Sequence, residues 1–184
     1  MNELGTKIIE TKRLILRKFS MEDADDMYVW ASDHDVTKYL TWQSHQNINV
    51  TKDLLNEWIK EYINGDCFNW AMEQKSTGRV IGSITVVRLN KDIEACDIGY
   101  CMRKDCWGQA FMPEGLEAVL DYLFDQVGLN RIAACHDTNN PKSGRVMEKV
   151  GMKKEGILRQ SGRTNDGRAT DLVWYSTVRS DREK

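Results

Sequence analysis

Apolar and polar positions alternate around Leu14 and Leu16 in KIIETKRLILRKF, residues 7–19, which predicts a single strand near the start of the chain. Ser20 with Asp23 three residues on has the form of a helix start, so MEDADDMYVWAS is expected to be helical. A loop holding His34, Tyr39, Trp42 and His45 follows. Thr51 is placed to cap a second helix with Leu54, Leu55, Trp58, Ile59 and Tyr62 on one side. FNWAMEQ, RVIGSITVVRL and EACDIGYCMR read as three strands, and their short connections, one of them Asn90-Lys91-Asp92, predict an antiparallel meander. The period then changes: Met112, Leu116, Val119, Leu120, Leu123 and Val127 recur at helical spacing and Gly128 supplies a stop. Residues 130–137 read as a buried strand, and Asn140-Pro141 opens a helix that ends at Gly151. Strands near 153–159 and 168–178 flank a turn at Asn165-Asp166-Gly167. The order βαα, βββ, α, β, α, ββ is an α+β layout around one mixed sheet.

Length and charge narrow the field. A chain of 184 residues with no repeat or linker makes one domain, 1–184. A net charge of −2 argues against a nucleic-acid grip, and no basic patch stands out. No apolar h-region follows Met1 and no run reaches membrane-spanning length, so a cytoplasmic protein without a membrane partner is expected. Five cysteines without a C-x-x-C pair read as free thiols. Cys135-His136-Asp137 resembles a nucleophilic triad only on paper, because strand neighbours point to opposite faces. The scattered His, Cys and Asp have no metal-ligand spacing.

The chemistry concentrates in CWGQAFMPEG, residues 106–115. Gly108 and Ala110 leave a backbone that an anion can approach, and Pro113 sits in the first turn of the helix where its missing N–H costs little. A helix start of this kind offers unpaired N–H groups and a partial positive charge to phosphate. The stretch matches neither the P-loop nor the dinucleotide glycine pattern. On these residues alone, a pyrophosphate cradle and a purely structural turn both stand.

CMRKDCWGQA, residues 101–110, resembles the pyrophosphate-binding segment of the GCN5-related N-acetyltransferases (GNAT), whose signature is Gln or Arg, two residues, Gly, one residue, then Gly or Ala. Gly108 and Ala110 match, whereas Asp105 stands at the Gln/Arg position. Trp-Gly-x-Ala-Phe-Met-Pro-Glu is similar to the RimJ/RimL branch, which acetylates ribosomal-protein N-termini. So are ETKRLILR (10–17), VTKYLTW (36–42) and NPKSGRVMEKVGM (140–152), with Met152 in place of that branch's aromatic. The resemblance covers nearly the whole chain. It implies a GNAT fold: a mixed, mostly antiparallel sheet of about seven strands flanked by about four helices, with a V-shaped split between two central parallel strands.

It also implies acetyl-CoA as co-substrate, held by the backbone of Tyr100, Cys101 and Met102, by the turn Gly108, Gln109, Ala110, Phe111 and Met112, and by Asn140 and Ser143. No metal is implied. The acceptor amine attacks the thioester directly, and a backbone N–H aimed at the resulting oxyanion would contribute about 3 kcal/mol. The tyrosine that many relatives use to protonate the leaving thiolate is replaced by Met147, and Ser143 takes the role it has in the N-terminal acetyltransferase branch. A protein α-amine, with a pKa of about 7.7–8.0 against about 10.4 for lysine, needs at most a water relay. Asp97 and Glu94 are placed to hold that water, Asp97 nearer the thioester strand, and His136 is expected to be structural. Tyr39 and Trp42 are expected to line the acceptor pocket, Trp30 and Trp58 to be buried packing, and His34 and His45 to sit in solvent. The acceptor is a ribosomal or other protein N-terminus on this reading. A polyamine or aminoglycoside remains the alternative if the acidic run Glu22-Asp23-Asp25-Asp26 forms a cleft wall, as does a CoA-binding module without turnover. The oligomeric state stays open, with a homodimer through a sheet edge or the C-terminal strand familiar in this family.

Overall fold

A computed structural model describes residues 1–182. Among them eight strands form one sheet in the order β1-β2-β3-β4-β5-β6-β8-β7. The strands are β1 (Ile9–Glu10), β2 (Leu14–Arg17), β3 (Asn69–Gln74), β4 (Arg79–Asn90), β5 (Ala95–Met102), β6 (Arg131–Asp137), β7 (Lys153–Arg163) and β8 (Ala169–Val178). All neighbours are antiparallel except β5 and β6. The six α-helices are α1 (Ala24–Ala31), α2 (His34–Thr37), α3 (Ile48–Glu61), α4 (Phe111–Tyr122), α5 (Pro141–Lys149) and α6 (Arg179–Arg182).

Several local expectations are corrected. The opening run is not one strand: it folds back at Thr11–Arg13, so Ile9 pairs with Leu16, and this raises the strand count to eight. The second long helix starts at Ile48, with the Asn47 side chain accepting from the Asn49 N–H at 3.0 Å. Thr51 lies inside that helix, where its hydroxyl meets His45 Nδ1 at 2.8 Å; His45 is therefore buried and not in solvent. Short α2 occupies what reads as loop, capped by Asp33. Trp30 is fully buried as expected, but Trp58 is half-buried, with its ring 5.1 Å from that of Phe19. α4 does not run to Val127; its last turn, Leu123–Val127, widens to a π-turn before Gly128.

Two apolar clusters hold the layers. On one face α4 packs Phe111, Met112, Leu116, Val119 and Leu120 against Leu14, Leu16, Trp70, Met72 and Ile84 of the sheet. On the other, α1 and α3 pack Met27, Trp30, Ala31 and Leu55 against Ala71 and Val80. The acidic run serves this second layer. Asp23 is buried under the Arg17 guanidinium, with contacts of 2.7 and 2.8 Å, and Asp26 Oδ2 accepts the Val80 N–H at 2.9 Å. Among the described residues no helix is long and apolar enough to cross a membrane.

Candidate active site

The central parallel strands part company. β5 and β6 pair only at Ala95–Arg131, Cys96–Ile132 and Asp97–Ala133. Beyond that point β5 continues to Met102 against β4, and β6 continues to Asp137 against β8. A cleft of about 920 Å³ opens there, walled by β5, the turn before α4, the first turns of α5 and the α2 turn. The Arg103 N–H donates to the Ile81 carbonyl, 2.9 Å, so strand alternation turns the peptide groups of Tyr100 and Met102 away from β4 and towards the split. Cys101 lines the cleft, but its peptide groups are turned to β4. The Met102 carbonyl is taken by Trp107 Nε1 at 2.8 Å, leaving its N–H on the cleft side.

The turn before α4 has both small residues in the left-handed region, Gly108 at φ 77° and Ala110 at φ 60°. Glycine adopts this at no steric cost and alanine at about 1 kcal/mol or more. The small residues are thus demanded by backbone conformation as well as by access. Among the described residues, none of the N–H groups of Gly108, Gln109, Ala110, Phe111 and Met112 donates to a protein acceptor. Five donors flank the start of an apolar helix here, beside the opening of the split. Gly108, Ala110 and Met112 line the cleft; Gln109 and Phe111 do not.

Across the cleft, Asn140 occupies the N-cap position of α5 with Pro141 next, yet its side chain makes no capping bond. Its amide is left to the cleft. Ser143 Oγ donates to Tyr100 Oη at 3.0 Å, and Tyr100 Oη donates to the Ser143 carbonyl at 2.8 Å. This pair joins β5 to α5 across the split, and burial holds the Tyr100 phenol far above its ordinary pKa.

Basic side chains were not singled out by the sequence reading, but Lys38, Lys104, Lys142, Arg145 and Lys149 all line the cleft. The spacing of Lys142, Arg145 and Lys149 puts them on one face of α5, a signal that was available in the sequence. Lys142 Nζ sits 4.9 Å from the Trp107 ring, reaching from α5 towards the phosphate turn. Among the described residues the only carboxylate lining the cleft is Asp35, and Lys104 Nζ holds it at 2.6 Å.

Other candidates are placed elsewhere. Asp97 does not line the cleft; Arg88 grips it through Nε at 2.8 Å and Nη2 at 2.5 Å. Glu94 faces the Met1 ammonium at 3.2 Å. His136 is buried beneath α5, its Nδ1 donating to the Asp137 carbonyl, while the Asp137 carboxylate is held by Asn139 and Thr170. No Cys135-His136-Asp137 relay exists. Tyr39 lines the cleft, whereas Trp42 packs on His45 with ring centroids 5.3 Å apart. The tip of the β7–β8 hairpin meets the same wall, Asn165 Nδ2 donating to the Thr37 carbonyl at 3.1 Å. Burial raises the thiols of Cys101 to about 11 and Cys96 to about 12, so neither is a thiolate at neutral pH.

A split sheet with a donor-rich helix start beside it is one arrangement, and a family model described as an acetyltransferase (GNAT) domain matches residues 13–153. The chain belongs to the GNAT family. The uncharacterized N-acetyltransferase YoaA of Bacillus subtilis (strain 168) is 32% identical over 172 residues, 94% of this chain and 97% of the relative. The [ribosomal protein uS5]-alanine N-acetyltransferase of Escherichia coli (strain K12) is 26% identical over 107 residues, 58% of this chain and 54% of the relative. In fold, this GNAT chain superposes with a TM-score of 0.83 on the microcin C7 self-immunity acetyltransferase MccE, solved in complex with acetyl-CoA and AMP. That match is at 17% identity and covers 91% of this chain and 93% of the other. The protein is an N-acetyltransferase of the GNAT type. Among the described residues no group of three or more His, Cys, Asp and Glu is placed to hold a metal.

Proposed function

We propose that this GNAT enzyme moves an acetyl group from acetyl-CoA to the α-amine of a protein or peptide N-terminus, as the name of its uS5 relative says of that protein. The observation that favours this acceptor is the lack of free carboxylates in the cleft. Among the described residues Asp35 is the only carboxylate lining it, and Lys104 already holds that carboxylate. A polyamine or aminoglycoside would find no free carboxylate there to receive its cations. A lysine side chain, with a pKa of about 10.4, would need a base that the wall lacks, whereas an α-amine at about 7.7–8.0 is part-neutral in the cell. None of the acidic run Glu22-Asp23-Asp25-Asp26 lines the cleft, and Asp23 and Asp26 are taken by Arg17 and the Val80 N–H.

In this reading the free N–H groups from Gly108 to Met112 and the cations of α5 receive the coenzyme phosphates. Asn140 takes the pantetheine arm, and the Tyr100 and Met102 peptide groups align the thioester. The amine nitrogen attacks the acetyl carbon, the C–S bond breaks, and Ser143 Oγ turns from Tyr100 to hydrogen-bond the departing sulfur. The amine proton leaves through water. Asp97, tied to Arg88, stays outside the transfer.

Acetylation of an N-terminal peptide library, set beside lysine side-chain peptides, spermidine and an aminoglycoside, tests the reading. N-terminal peptides should dominate, and the rate should rise with pH to a plateau with an apparent pKa near 8. Preference for spermidine, or a rate still climbing at pH 10, would overturn the acceptor assignment.

A further inference from the structure

The turn that offers its N–H groups to the cleft has a brace behind it. Arg13, in the β1–β2 turn, does not line the cleft. Its Nη1 donates to the Gln109 carbonyl at 2.9 Å, and its Nε donates to Glu114 Oε2 at 2.6 Å. The Arg13 backbone N–H donates to Glu114 Oε1 at 2.8 Å, where the Thr11 hydroxyl also donates at 2.6 Å. The guanidinium carbon lies 4.2 Å from the centroid of the Phe111 ring. The side chain is therefore held by a carboxylate and a ring while Nη1 reaches a single peptide oxygen.

That peptide matters because of its geometry. In a planar trans unit the C=O and the following N–H point in opposite directions. Drawing the Gln109 oxygen towards the β1–β2 turn drives the Ala110 N–H to the other side, where Gly108, Ala110 and Met112 line the cleft. The same orientation leaves Ala110 at φ 60°, which an alanine resists. Rotation of this one peptide would relax Ala110, remove a donor from the cleft and put a carbonyl oxygen in its place. We infer that Arg13 is a positioning residue for the anion cradle: by holding the Gln109 carbonyl it keeps the Ala110 N–H aimed at the diphosphate of the bound coenzyme. Glu114 and Thr11 fix Arg13 in turn, which couples the Thr-Lys-Arg of the first turn to the Pro-Glu of α4, a hundred residues apart. The inference rests on the coenzyme reading above.

The test compares two ligands that share a thioester and pantetheine arm, of which only acetyl-CoA carries the diphosphate with its 3′-phosphoadenosine. Dissociation constants for acetyl-CoA and S-acetylpantetheine are measured for the wild type, Arg13→Gln and Arg13→Lys, with a melting curve for each. Losing one charge-assisted hydrogen bond should weaken acetyl-CoA about tenfold while S-acetylpantetheine is unchanged. Arg13→Lys keeps the charge and the stem over Phe111 but cannot serve both Glu114 and Gln109, so it should behave alike and decides the matter if Arg13→Gln melts early. Equal weakening of both ligands, or none, overturns the role of Arg13. A wild type that binds the two ligands equally would instead sink the coenzyme reading, so the two failures are distinguishable.

Discussion

Ser143 and Tyr100 show how one hydroxyl can hold two roles. In the resting site Ser143 Oγ is spent on Tyr100 Oη, and Tyr100 returns a bond to the Ser143 carbonyl. Rotating Ser143 towards a departing sulfur costs the first bond but not the second, because the carbonyl bond fixes the start of α5 whatever the side chain does. Ser143→Ala should therefore leave coenzyme affinity within about twofold and lower turnover about tenfold to a hundredfold, the lower range of proton-donor effects. Single-turnover rates at saturating ligand check this, and an unchanged rate would remove Ser143 from the chemistry. Tyr100→Phe separates the two bonds. It should cost about 1 kcal/mol of stability by removing the hydroxyl that bonds both the Ser143 carbonyl and Ser143 Oγ, and affect turnover less than Ser143→Ala does.

Seating α5 on β6 depends on a missing side chain. A Cβ built on Gly144 would lie 2.6 Å from His136 Nε2 and 3.3 Å from two ring carbons, and the ring is pinned by the Asp137 carbonyl and packed on Tyr175. Gly144→Ala should lift α5 and cost about 1–3 kcal/mol, as overpacking does. In a His136→Ala background most of that cost should vanish, measured as the shift in urea midpoint; an equal cost in both backgrounds would mean that the helix is seated by something else. Such contacts explain what could be read in advance. The period-two runs, the switch to helical spacing at Met112, and the Gly108 and Pro113 turn were visible because each is a local pattern. So was the split, through the resemblance of those residues to a known family. The fold-back at Thr11–Arg13 was not, because β1 is only two residues long, too short to show a period of its own, and Glu114, far along the chain, holds the turn. The Asn47 cap was lost to Thr51, a better-looking capping residue whose hydroxyl serves His45 instead. Of the basic wall of the cleft, the Lys142, Arg145 and Lys149 face of α5 was legible as a helical spacing, whereas Lys38 and Lys104 lie on other elements that only the fold brings beside it.

Across the whole molecule three carboxylates add side-chain ties between segments, one of them between elements that the sheet order does not join. Glu114 ties α4 to the β1–β2 turn; burial pushes its pKa up, but hydrogen bonds from Thr11 and Arg13 outweigh this and hold it below 4.5. Asp137 ties the end of β6 to β8 and to the turn before α5; burial again opposes, and Thr170 and Asn139 win. Glu155 ties β7 to β6 and β8 through hydrogen bonds from Arg131 and Ser176, which outweigh its burial. A carboxylate whose folded pKa is depressed adds stability that is complete above its unfolded pKa and is lost as pH falls through the folded one. The unfolded values are 4.5 for the two glutamates and 3.8 for Asp137. The contribution of these three carboxylates should thus be level from pH 7 to about 5 and fall progressively below about 4.5. The three do not act on the same part of the protein, and that makes the curve informative. Glu114→Gln should lower stability at pH 7 and flatten part of the acid limb, and it should weaken acetyl-CoA binding at neutral pH because Arg13 loses its anchor. Glu155→Gln should flatten the limb as well but leave coenzyme affinity alone, since neither it nor its partners Arg131 and Ser176 line the cleft. Urea midpoints at pH 7, 5, 4 and 3 with parallel ligand titrations check both variants. A limb unchanged by either substitution would place the acid sensitivity elsewhere in the fold.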